Sequence, residues 1–173
     1  MELTDKKLVM ILLRRNNAPI LTGITRIEKL AYLTTLSPEF SDLALKLNFE
    51  PLHYGPYSEK IVLAIDALET HNFINSRSVT FERQISERAD EEVIESLGET
   101  KDFIETKSYF LSDAGKQVAD YYFKQLSPEQ QREIDNIISK YGGLPLKKLL
   151  TEVYSKAPEF LLRKSKIREE IGI

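Results

Sequence analysis

The chain has 173 residues, a formal net charge of −3 and a pI near 5.6, a balance that argues against bulk nucleic acid as its main partner. Hydrophobic residues make up 42% and charged residues 29%, the proportions of a globular chain rather than a disordered one. There is no cysteine, which excludes disulfides, thiolate metal sites and cysteine nucleophiles, and no apolar run nears the roughly 20 residues of a membrane span.

The first seven residues are polar and carry no signal-peptide pattern. Together with the missing cysteines, this leads us to expect a cytoplasmic protein. Thr4 is placed to cap a first helix, with Asp5 at its positive end and Leu8, Ile11 and Leu12 at helical spacing. Thr25-Arg26-Ile27-Glu28 reads as a capping box opening a second helix, whose inward stripe is Ile27, Leu30, Ala31 and Leu33. Residues 40–47 form a third helical stretch.

Residues 48–54 read as extended, broken by Gly55-Pro56, since proline cannot donate to a ladder. Ser58 then caps a helix in which Ile61, Leu63 (or Val62), Ile65 and Leu68 face inward. Residues 79–81 and 107–111 read as the two arms of a hairpin. Between them, residues 82–105 carry nine acids against three bases, an acidic insert with little capacity to bury anything. Ser112 caps a helix carrying Val118, Ala119, Tyr122 and Phe123. Ser127-Pro128 opens another, with serine as cap and proline at the first helical position, and Gly142-Gly143 ends it. The next helix has Leu146, Leu149, Leu150 and Val153 in its stripe, and Phe160 follows on a last amphipathic piece. Residues 141–173 hold seven bases against four acids, so the tail is basic where the middle is acidic.

Three helices followed by a two-stranded wing is the order of a winged helix. The expected fold is therefore mainly α with a small β wing: a winged helix-turn-helix core over residues 1–126 and a C-terminal helical extension over 127–173. The extension's apolar stripe is available either for a dimer contact or for packing back on the same domain.

The chemistry is sparse. Two histidines, His53 and His71, lie eighteen apart with no HExxH spacing, no glycine loop is spaced to cradle a phosphate, and no serine sits in a GxSxG elbow. The expectation is a non-enzymatic protein without metal or cofactor. Bases available for phosphate contact are Arg26, Lys29, Lys60, Arg77 and Arg83. The helix from Glu59 to Glu69 has one lysine against three acids, poor equipment for reading DNA. Tyr54 and Tyr57 flank the Gly-Pro corner and are amphipathic aromatics of the kind that anchor protein interfaces.

Several segments carry a resemblance. Thr25-Arg26-Ile27-Glu28-Lys29-Leu30-Ala31-Tyr32-Leu33 resembles a helix of a group of prokaryotic winged-helix-like proteins, and His53-Tyr54-Gly55-Pro56-Tyr57-Ser58 is similar to their corner. Tyr109-Phe110-Leu111-Ser112-Asp113-Ala114-Gly115 is similar to the strand-to-helix element of MarR- and PadR-like regulators. The Lys29-Leu30-Ala31-Tyr32 and Tyr54-Gly55-Pro56 pieces also resemble the Panacea (SocA-like) antitoxin domain. The resemblance to MarR- and PadR-like regulators implies a dimeric transcriptional regulator that binds double-stranded DNA, which is the leading expectation. The resemblance to the antitoxin domain implies instead a module that binds a partner protein.

Overall fold

Two helices buried almost all round organise the chain. The computed structural model describes residues 2–16, 21–82 and 103–167. Helix α1 (Asp5–Arg15) buries Leu8, Val9, Met10, Ile11, Leu12 and Leu13, more than the single stripe a surface helix would bury. Thr4 caps it, its hydroxyl accepting from the Lys7 backbone at 3.5 Å. Helix α2 (Ile24–Thr35) is more enclosed still: every residue from Ile27 to Thr35 is buried. The expected capping box at its start does not form. Gly23, at φ 83°, occupies the cap with no side-chain bond. Thr25 is thereby already inside the helix, and Glu28 turns into the core.

A 3-10 turn (Pro38–Phe40) leads into α3 (Ser41–Leu47), which Asn48 ends in the left-handed region at φ 48°. The next segment is a hairpin of β2 (Glu50–Leu52) and β3 (Gly55–Tyr57), paired from Glu50↔Tyr57 to Leu52↔Gly55. The turn is therefore at His53-Tyr54, and Gly55-Pro56 lies in the returning strand. A two-stranded hairpin tolerates Pro51 opposite Pro56 because both strands are edges.

Helix α4 (Glu59–Thr70) buries Ile61, Ala64, Ile65 and Leu68. That i, i+3, i+4, i+7 set places Leu63 on the opposite side, where it is 57% exposed rather than inward as expected. Strands β4 (Ile74–Glu82) and β5 (Phe103–Leu111) pair antiparallel from Ile74↔Leu111 to Glu82↔Phe103. The short β1 (Leu21–Thr22) joins the far side of β5 through Leu21↔Tyr109, giving sheet order β1-β5-β4. The acidic insert falls largely outside the described residues.

Helix α5 (Asp113–Lys124) is capped by Ser112, whose hydroxyl accepts from the Gly115 backbone at 3.0 Å. Helix α6 (Pro128–Ile137) opens with a capping box between Ser127 and Gln130 and runs into a π turn (Ile138–Gly142). Helix α7 (Leu146–Lys156) and the short α8 (Glu159–Leu162) complete the chain. The protein is thus mainly helical with a small antiparallel sheet. The core does not divide at residue 126: Ile134, Leu149 and Val153 belong to the same buried cluster as Leu12, Ile27 and Leu30. The stripe considered for a dimer contact packs back instead, with α7 lying on α2 and only Leu146 and Phe160 left exposed.

Candidate interaction surface at the corner of α2, the β2–β3 hairpin and α4

The hairpin is fastened from three directions. From α2, the Lys29 ammonium donates to the carbonyl of Pro56 at 2.7 Å. From α7, the Tyr154 ring lies against Gly55, so close that a β-carbon there would sit 2.8 Å from a ring carbon. From the C-terminal segment, the Lys166 backbone donates to the His53 carbonyl at 3.1 Å, and Ser165 and Tyr154 share a hydroxyl–hydroxyl bond of 2.6 Å. Beneath the hairpin, Tyr32 and Phe49 meet edge to face at 5.1 Å, a favoured aromatic geometry.

Two charges are buried under this corner. Lys29 is 1% exposed and Glu28 4%. The Ser58 backbone N–H, at the cap of α4, donates to the Glu28 carboxylate, the arrangement a helix N-terminus favours. Oε1 of Glu28 has no hydrogen-bond partner among the described residues. Burial pushes the Glu28 carboxyl up to about 7 against the opposing pull of Lys29, and burial pushes the Lys29 ammonium down to about 8. Burial likewise lifts the Tyr32 hydroxyl to about 12. The Tyr57 hydroxyl is also raised, by desolvation and by the carboxylates of Glu28, Glu59 and Glu50.

The outer surface of the corner combines carboxylates with leucines. Helices α3 and α4 are tied where the Ser58 hydroxyl donates to the Leu47 carbonyl and the Lys60 ammonium to the Lys46 carbonyl. On these two helices Leu45 is 84% exposed and Leu63 57%. Asp42, Glu50, Glu59 and Asp66 are exposed on α3, β2 and α4. The two lysines there are engaged, Lys46 with Glu2 at 2.6 Å and Lys60 as described. Tyr54 and Tyr57, the expected contact residues, are both half-buried on the hairpin.

The five bases expected to face phosphate are not gathered on one element. Lys29 is a correction: its ammonium is inside the protein and bonded to Pro56, so it offers nothing to a duplex. Arg26 is half-buried, donating to the Leu144 carbonyl at 2.6 Å between α6 and α7, and burial lowers its pKa. Lys60 lies on α4 and Arg77 is exposed on β4, while Arg83 is outside the described residues. By sequence, Glu28 reads only as a capping residue and Leu63 (or Val62) as inward. The helical phase held the signal for the first, because Glu28 falls in register with Ile24, Ala31 and Tyr32.

Among the described residues no cluster of three or more His, Asp or Glu is arranged to hold a metal, and no helix is long and apolar enough to cross a membrane. Compared with known proteins, the sequence matches no protein-family model, and no curated protein is significantly similar to it.

Proposed function

We propose that this chain is a protein-interaction module whose binding surface is the outer face of α3, the β2–β3 hairpin and the first turns of α4. The observation that carries the reading is the pair of leucines, Leu45 and Leu63, held out to solvent on two helices that also expose Asp42, Glu59 and Asp66. Apolar anchors within a charged rim are the anatomy of a protein interface, and carboxylates select a basic partner segment. Tyr57 sits near Glu59 and Glu50 on the same corner. The mode is that of the antitoxin-type domain, which acts by protein contact.

A selection from a random displayed-peptide library tests this. Peptides enriched in Lys and Arg around a Leu or Phe are expected, with binding lost in the Leu45→Asp/Leu63→Asp variant. Peptides without that enrichment, or equal capture by the variant, would reject the reading. Both leucines are exposed, so the variant is expected to fold.

One observation favours a second reading. The order α1-β1-α2-α3-α4-β4-β5 with sheet order β1-β5-β4 is what a winged-helix DNA-binding regulator would have, with the β2–β3 hairpin inserted before the helix presented to DNA. Such a protein, acting as a dimer, would need its exposed bases, Lys60 and Arg77 among them, to contact phosphate. Titration of duplex DNA binding against salt separates the two readings, because phosphate contacts release counterions and weaken steeply with salt. We expect no binding at low salt; salt-sensitive binding would favour the DNA reading.

A further inference from the structure

At the end of α4 remote from this surface, its last turn passes the first turns of α1 and the middle of α5, leaving a cavity of about 280 Å³. Met10, Leu68, Phe73 and Val118 make its apolar lining. Lys6, Lys7 and His71 stand around it, and Tyr122 closes one side with the Lys7 ammonium 5.4 Å from its ring centre. No carboxylate lines the cavity among the described residues, although the chain as a whole carries a net charge of −3. Positive charge is therefore concentrated over an apolar recess in a molecule that is otherwise acidic.

The polar groups are available for a ligand. Lys7 donates to the Glu2 carbonyl at 2.8 Å, which uses one of its three N–H groups. His71 holds Nδ1 2.7 Å from the Ala67 carbonyl. In the neutral ring that contact puts the proton on Nδ1 and leaves Nε2 a lone-pair acceptor, so His71 bounds the cavity without donating to an anion. The volume lies just under the roughly 300–1,000 Å³ of drug-sized sites, so one small molecule fits.

We propose that this cavity binds a small organic monoanion, its carboxylate between Lys6 and Lys7 and its short apolar body over Met10, Leu68 and Phe73. The inference stands apart from the protein-binding reading, since it uses none of that surface.

The probes are hexanoate, hexanamide and hexylamine, which share a carbon chain and differ in charge. The readout is the Met10 methyl resonance, simple to assign because the chain has two methionines. Hexanoate is expected to shift it saturably. Hexanamide should bind about fivefold more weakly, the scale of one exposed charge interaction, and hexylamine not at all. Lys6→Gln/Lys7→Gln should weaken hexanoate by about fivefold or more without changing Tm, and Val118→Phe, which fills the recess, should abolish the shift. Equal response to the three compounds would reduce the site to an apolar crevice and overturn the proposal. So would the absence of a saturable hexanoate shift, or affinity unchanged in the lysine variant.

Discussion

Glu28 and Lys29 are neighbours in sequence and both inside the protein, yet their ionisations act on stability in opposite pH ranges. The Glu28 carboxyl is raised from 4.5 to about 7, so the folded protein keeps a proton the unfolded chain gives up. Its contribution is fully present below pH 4.5 and is lost as pH rises through about 7. Lys29 is lowered from 10.5 to about 8. Its contribution is present above pH 10.5 and lost as pH falls through about 8. From these two groups, stability is lowest around neutral to mildly alkaline pH and rises on either side. Glu28→Gln should remove the first slope, since no carboxyl is left there to ionise. Urea unfolding at pH 5 and pH 8 should show the variant gaining on the wild type at pH 8, on the order of 1–3 kcal/mol. An equal effect at both values would mean that Glu28 ionises freely in the folded state. Gly55 makes a second residue-scale case. Its φ of 82° is strained for any other residue, and a β-carbon would meet the Tyr154 ring at 2.8 Å. Gly55→Ala should cost about 2 kcal/mol in denaturant unfolding. Gly143, at φ −95° in open space, is the control, and Gly143→Ala should stay within about 0.5 kcal/mol of wild type.

At the scale of elements, helices that announce themselves locally were legible and contacts made at long range were not. Thr4, Ser112 and Ser127 stand where the sequence placed them as caps, and the Ser127 cap forms a full box. The box read at Thr25 failed because Gly23 starts that helix earlier. The hairpin turn was read at Gly55-Pro56 as a breaker. It lies two residues earlier, at His53-Tyr54, and Gly55 in the returning strand has no β-carbon to meet the Tyr154 ring, ninety-nine positions along the chain. The burial of Lys29 depends on a carbonyl 27 residues away, which no local pattern encodes; of the candidate surface, the sequence shows Tyr54 and Tyr57 but not the exposure of Leu45 and Leu63. Of the two inward candidates Leu63 and Val62, the helical phase puts Leu63 outside and leaves Val62 half-buried. The junction of β4 and α5 shows how tightly two elements can be set. Phe73 O accepts from the Ser112 backbone at 3.0 Å, and a β-carbon on Gly115 would lie 2.1 Å from that same oxygen. A backbone atom so held cannot give way, so the whole helix must shift. Gly115→Ala should therefore cost about 3 kcal/mol, the upper part of the overpacking range. Ser112→Ala should cost only the ~1 kcal/mol of a lost cap. Thermal or denaturant melts of the two variants test the order, and a Gly115→Ala loss no larger than that of Ser112→Ala would mean that α5 is not fixed by this contact.

For the whole molecule, the question is whether residues 127–167 form an appendage or a wall of the core. The described part of that segment contributes eleven buried apolar side chains, from Ile134 to Ile167, to the cluster built on α1 and α2. At about 1.5–3 kcal/mol for each fully buried large apolar side chain, their loss exceeds the roughly 5–15 kcal/mol that holds a typical domain together. The segment also ties down the hairpin, through Tyr154 against Gly55 and Lys166 on His53. Removing it would uncover the side of α2 against which α6 and α7 pack and release the corner that positions α4. A chain ending at Leu126 should therefore lack a cooperative unfolding transition and fixed aromatic packing, read as loss of the near-ultraviolet circular dichroism of its tyrosines. The full chain should unfold in one transition with coincident near- and far-ultraviolet signals. A fragment that melts cooperatively would instead establish residues 1–126 as a self-sufficient domain. In that case the hairpin corner would have to be held by Lys29 alone, and Gly55→Ala should become nearly harmless to the fragment apart from its backbone strain.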